Sequence, residues 1–346
     1  MPASFVGRFA PRLRRSLLGA GIAGAAVGCS PATVLPPDPP FDPIEYQRDF
    51  DRWRAGRTRS IGGPDGWTTL IGLFWLDGAT FTVGSDSASD IVLPAGHVPE
   101  RLGTLHVAEG LVRFDAAKGA TVWRDGTAVD TITLRSDRDG KPTVLRSGGV
   151  TLRVIERSGQ LALRVKDTAS PDRLGFTGLS YFPVDSSLRV AGVLRRHSKP
   201  RTVKVGTVTG QVEEYASPGV VEFALGGRRL SLLAVQQPGS KSLFIIFRDS
   251  TSGKETYQAA RFLQAPWPDS AGVTTLDFNR AYNPPCAFSA YSTCPLPPAE
   301  NILPVAVRAG ERRYGGGKGV AAKRVAAESR GLSVAAAGRG AAARER

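Results

Sequence analysis

Residues 120–131 read "ATVWRDGTAVDT", two short runs of alternating apolar and polar residues joined by Asp125-Gly126. A two-residue Asp-Gly loop between alternating runs is the strongest local signal for a type I′ hairpin, since both loop positions need positive φ. Outward from this hairpin the same grammar repeats. "TFTVGSD", "DIVLPAG", "GTLHV" and "LVRFDA" precede it, and "TVLRSG", "VTLRVIERSG" and "LALRVKD" follow. Short alternating strands at close spacing predict an antiparallel sandwich or barrel over residues 60–167.

A second series follows: "LRVAGVLRR", "RTVKVGTV", "QVEEYA", "VVEFALGG", "RLSLLAVQ", "SLFIIFRDS" and "ETYQAARFL". It predicts a second β lobe over 187–314, an antiparallel meander forming a half-open barrel. Between the lobes, 168–186 is a connector dense in turn formers, and Phe176, Tyr181 and Phe182 predict that it is packed between them. Ahead of both lobes, Tyr46, Phe50 and Trp53 fall at i, i+4 and i+7, which predicts one amphipathic helix within 43–59. The fold class is therefore mainly β.

The first 29 residues carry arginines at 8, 12, 14 and 15, then an uncharged run from Ser16 to Gly28 ending at Cys29. That is the pattern of an export signal, too short to span a bilayer. "AVGC" resembles a bacterial lipobox with Ala26 in place of leucine, and "RRSLL" also resembles a twin-arginine signal. The expectation is a lipid-anchored envelope protein, extracytoplasmic, attached to the membrane through Cys29 alone. The alternative is a soluble secreted or periplasmic one. Residues 30–42, rich in proline, read as a stiff tether, and 315–346 as a disordered basic tail.

The formal charge of +14 suggests nucleic acid until it is partitioned. The signal holds four arginines and no carboxylate, and the tail seven cations and two carboxylates, which leaves 34 cations against 29 anions between them. The folded part is thus only mildly basic, and a nucleic-acid partner is not expected. Cys286 and Cys294, in an oxidising compartment, predict a disulfide contributing about 2.5 kcal/mol. The three histidines, His97, His106 and His197, have no ligand spacing, so neither a metal nor a cofactor is expected. "GLSYF" around Ser180 lacks the second glycine of a nucleophile elbow.

The segment "DFNRAYNPPCAFSAYSTCPLPPAEN", 277–301, has five prolines and both of these cysteines. Its prolines fix φ, so the segment predicts a rigid irregular loop able to hold Asp277, Asn279, Tyr282 and Asn283 in set directions. Tyr257 and Arg261, four apart on an expected strand, would share a face beside it. Arg164 and Lys166 share another face, with Asp167 beside Arg173. An arginine among tyrosines and amides suits a small polar or anionic ligand held between the lobes, with Tyr257, Arg261, Asp277, Asn279, Tyr282 and Asn283 as its contacts. For Arg261 the competing role is an internal ion pair with Asp277, Glu300 or Glu311. Two other functions stay open: a metal-independent hydrolase or lyase using Asp277 or Glu300 with Tyr282, and a protein-interaction adaptor.

The order "VGSDSASDIVLP" then "WRDGTAV" resembles the forkhead-associated fold, whose domains read phosphothreonine peptides. Ser85 stands where that family has arginine, and "PERLGTLH" where it has Ser-Arg-x-His, so the resemblance implies sandwich topology only. At "RVKDTASPDRLGFTGLSYFPVD", "FRDSTSGKETYQAARFL" and "DFNRAYNPPCAFSAYSTCPLPPAENILPVAVRAGERRY" the sequence resembles the bacterial family known as domain of unknown function 1684. The similarity runs from "GWTTLIGLFWL" to Tyr314, with Ala260 where glycine is expected, and implies one evolutionary unit but no activity.

Overall fold

The computed structural model describes residues 35–315. The expected export signal, Cys29 and the tail from 316 lie outside them.

The Asp-Gly hairpin forms as read. Asp125 and Gly126 both have positive φ, 49° and 84°, and Trp123 faces Ala128 while Arg124 faces Thr127. This hairpin edges a six-stranded antiparallel sheet that includes Leu70–Trp75, Gln160–Asp167, Val150–Arg157 and Val144–Ser147. A five-stranded sheet lies opposite, with Gly103–Ala108 and Leu111–Ala116 at its centre. Alternation sends Leu105, Val112 and Phe114 from one sheet and Leu152, Val154, Leu163 and Val165 from the other into one core, the arrangement of a sandwich. Thr80–Gly84 and Ile91–Val92 pair in parallel.

The second lobe is a six-stranded antiparallel sheet, nearly closed into a barrel. Two runs read as separate strands merge on each side of its long hairpin, giving Arg189–Gly206 and Val212–Leu225. Pro200 and Pro218 do not end these strands. They sit where the pairing register slips, between Arg196 and Arg201 and between Ala216 and Gly219, the bulge positions at which a strand tolerates proline. Strand Ser242–Phe247 is buried on both faces: Leu243, Ile245 and Phe247 point into the barrel, and Phe244 and Ile246 point out beneath the Pro/Cys loop. Val235–Phe244 is the one paired position between this strand and Arg228–Gln236. The Asn301 side chain fills the gap beside it, donating to Leu233 O and Ile246 O and accepting from Leu233 N–H.

The helix spans Pro43–Gly62, three residues beyond its expected end, and Asp42 caps it by accepting from the Ile44 and Glu45 amides. Its aromatic stripe docks on the connector, where Tyr181 meets Phe50 and Trp53 edge-on. The connector therefore packs against the helix and the C-terminal segment, with Phe182 N–H donating to Gly310 O and Arg312 N–H to Ser180 O. Residues 35–42 do not project as a tether. Asp38 accepts from the Ala191 amide, and Arg189 donates to the carbonyls of Pro39 and Pro40, so this stretch lies against the barrel. Among the described residues no helix is long and apolar enough to cross a membrane.

Candidate functional site

The docked 35–42 stretch and the helix wall off a cavity of about 620 Å³ against the barrel. Phe41, Tyr46 and Trp53 form one side, and Gln264, Asp277, Arg280 and Tyr282 contribute to the other. Asp277 ends strand Val273–Asp277, and the short turn Phe278–Arg280 that follows brings Arg280 back over it. The Tyr46 hydroxyl donates to the Asp277 carboxylate, 3.0 and 2.9 Å from its two oxygens, and Arg280 Nε lies 3.3 Å from Oδ2. The guanidinium of Arg280 also sits 5.7 Å from the centre of the Tyr46 ring. Burial raises the Asp277 pKa against the lowering effects of Tyr46 and Arg280, and burial followed by Asp277 raises that of Tyr46. Arg280 Nε is buried without a hydrogen bond. The cavity thus combines aromatic faces with a carboxyl, a guanidinium and an amide around one floor.

Of the six expected contacts, Asp277 and Tyr282 line this cavity. The other four do not. Arg261 is fully buried: its guanidinium pairs with Asp249 and donates to Ala309 O and Val307 O at 2.7 and 2.9 Å. Tyr257 lies before strand Arg261–Pro266 begins, so it shares no strand face with Arg261; its hydroxyl donates to Cys286 O. Asn279 bonds both the amide and the carbonyl of Asp185. Asn283 donates to Arg312 O. All four bond to main-chain groups of neighbouring segments, while Arg261 Nε and Asn283 Oδ1 are buried without a partner.

The expected partners also move. Glu311, completely buried, takes Arg57 from the helix at 2.7 Å and the Asn283 amide at 2.8 Å, while the Arg57 guanidinium stands 4.5 Å from the centre of the Tyr282 ring. Glu300 is at the surface, 4.0 Å from Arg201. Asp167 meets His97 rather than Arg173, which donates to Thr168 O. Cys286 and Cys294 are buried side by side, with the Cys286 main-chain amide donating to Cys294 Sγ at 3.1 Å. Burial, then the neighbouring Cys286, pushes the Cys294 pKa up.

A cleft of about 870 Å³ does lie between the lobes, but Arg157 in it is met by Asp137 at 3.0 Å and Glu213 at 3.7 Å. Among the described residues no three His, Cys, Asp or Glu side chains gather as a metal site would need. Sequence reasoning missed Tyr46, Trp53, Arg189 and Arg280. The i, i+4, i+7 spacing gives Tyr46 and Trp53 only a shared helix face, and the i, i+3 spacing of Asp277 and Arg280 in "DFNR" is the available signal for the pair.

Comparison with known proteins matches residues 174–312 to the family described as Protein of unknown function (DUF1684). The chain is 38% identical to an uncharacterized protein of Haloarcula marismortui with a solution NMR structure, over 40% of this chain and 78% of that one, at a TM-score of 0.35. An N-terminal FHA domain from EssC, a component of the bacterial Type VII secretion apparatus, is 19% identical over 28% of this chain and 46% of that one, at a TM-score of 0.23. No curated protein matches the chain.

Proposed function

We propose that this chain, which belongs to the DUF1684 family, binds a small polar molecule in the cavity between the helix and the barrel. The observation that carries this reading is the Tyr46–Asp277–Arg280 group set among aromatic side chains. Ring faces take apolar flanks of a ligand while a fixed carboxyl and guanidinium orient its hydroxyl or amine groups. Asp42, Glu45 and Asp49 add further carboxylates against the two arginines, Arg189 and Arg280, which favours a neutral or cationic polar molecule over an anion. A thermal-shift panel of sugars, amino sugars, sugar acids and polyamines tests this. The expected result is a shift with a neutral or amino-bearing compound that disappears in Asp277→Asn and Arg280→Gln. A hit that both variants retain sinks the assignment.

The upward pKa of Asp277 favours, as a second reading, a metal-independent hydrolase or lyase with this carboxyl as acid or base. Turnover of a bound compound that survives Asp277→Asn excludes it. We also propose export and lipid anchoring through Cys29, supported by "AVGC" after an uncharged run. Mass spectrometry of the mature N-terminus decides between a lipidated Cys29 and a soluble product. In an oxidising compartment Cys286 and Cys294 would lose two protons and two electrons to a thiol oxidant and form the disulfide, supported by their adjacency. A thiol count of two on mature protein overturns that.

A further inference from the structure

The sandwich has a second face that its core does not use. On strands Val150–Arg157 and Gln160–Asp167, alternation turns Leu152, Val154, Leu163 and Val165 inward, so Arg153, Arg164 and Lys166 turn outward. The register then sets like charges together: Arg153 lies directly opposite Arg164, and Thr151 stands between Lys166 on one side and Arg146 on the other. Like charges directly opposite each other destabilise a sheet.

Arg164 makes the arrangement specific. It is 3% exposed, yet among the described residues no carboxylate lies within ion-pair distance of it and its Nε has no hydrogen-bond partner. Its contact is the Trp67 ring, 5.6 Å away, and Lys166 Nζ lies 6.0 Å from the same ring. The Nε atoms of Arg153 and Arg164 are both buried and without partners. An unpaired buried guanidinium costs several kcal/mol, which a bound counter-charge removes. The neighbouring Arg157 shows what this sheet does when an acid is at hand, since Asp137 takes it at 3.0 Å.

We propose that Arg153, Arg164 and Lys166 hold a phosphate- or sulfate-class oxyanion against Trp67, on the outward face of the six-stranded sheet. Lys166 Nζ already donates to Asp65 O, so two guanidinium forks and the remaining ammonium protons supply the donors that a tetrahedral anion requires. Arg146, with about half its side chain exposed, stands at the rim with Asp65 3.9 Å away. The groups facing the site are Asp65, Asp137 beyond Arg157, and the Cys294 thiol from the Pro/Cys loop. Burial, then like charge, lowers Arg164 to about 9 and Lys166 to about 8. An anion raises both again, so binding near pH 8 takes up protons.

Thermal unfolding and calorimetry of the full chain, with inorganic phosphate or sulfate against chloride at matched ionic strength, test the site. Saturable stabilisation by phosphate or sulfate with proton uptake near pH 8 is expected. Arg164→Leu should weaken it about tenfold or more while leaving the protein folded. Lys166→Gln should weaken it several-fold and remove the proton uptake, and it decides the matter if Arg164→Leu fails to fold. Asp277→Asn should leave the phosphate response unchanged, which separates this site from the cavity. A response to phosphatidic acid vesicles and not to soluble phosphate, lost in Arg164→Leu, identifies a lipid headgroup as the source. No preference for any of these over chloride, or a response untouched by both variants, overturns the proposal.

Discussion

Two arginines, Arg261 inside the barrel and Arg164 behind the sandwich, are both buried, both lie against an aromatic ring and both have an unbonded Nε, and they differ in their charge partners. Arg261 meets Asp249 and two main-chain carbonyls, and stacks 4.9 Å from the centre of the Phe247 ring. Arg164 lies against Trp67 with no carboxylate among the described residues in ion-pair contact; Arg153 and Arg157 oppose its charge, and Asp137 and the Cys294 thiol favour it more weakly. The first has its charge answered by Asp249 although its Nε is unbonded, and the second has no described carboxylate in contact. Burial alone therefore does not mark a functional cation. The test is whether the surrounding structure satisfies it.

The sharpest way to break this comparison is to remove each arginine in turn. Arg261→Met leaves Asp249 buried and uncompensated and should cost about 3–5 kcal/mol in urea unfolding. Glu311→Gln removes the charge that holds Arg57 and the Asn283 amide, and should cost about 2 kcal/mol by the same measurement. Arg164→Leu, in contrast, should be neutral or stabilising by about 1 kcal/mol without anion, because no partner is stranded. A loss there as large as that of Arg261→Met would mean that Arg164 has a structural partner after all.

Proton titration sharpens the same contrast more gently. Lys166 has its ordinary value of 10.5 lowered to about 8 by burial, then by Arg153. Below about 8 both folded and unfolded chains keep the proton and the penalty is complete. Above it the folded chain releases the proton first, so stability should rise between pH 8 and 10.5. In Lys166→Met that rise should flatten, as read by midpoints across the range. Asp277→Asn should have the smallest effect on stability, within about 1 kcal/mol at neutral pH, because Tyr46 can still donate to the amide oxygen. Its expected consequence is loss of ligand response in the cavity.

The Pro/Cys segment shows why part of the site was not legible. Its rigidity was readable, and the structure uses that rigidity to cover and join. Cys286 and Cys294 complete the apolar layer outside the barrel, Ser289 donates to Leu70 O, and Thr293 accepts from Arg157 of the sandwich. Asn279 and Asn283 are consumed by loop carbonyls and amides that local sequence cannot locate. Asp277 and Tyr282 were found because they flank the turn where the segment meets the barrel rim.

What the sequence by itself determined is whatever depends on near neighbours: the Asp-Gly hairpin, the two antiparallel series, the helix with its aromatic stripe, and the shared face of Arg164 and Lys166. These follow from local φ/ψ demands and from periods of two and 3.6 residues. Only the tertiary structure decided which charges meet. Asp249 reaches Arg261 across a loop, Arg57 reaches Glu311 from the far end of the chain, and Tyr46 reaches Asp277 in the same way. Charge attraction carries no record of sequence distance, and which pairs form is set by how strands and loops close around one another.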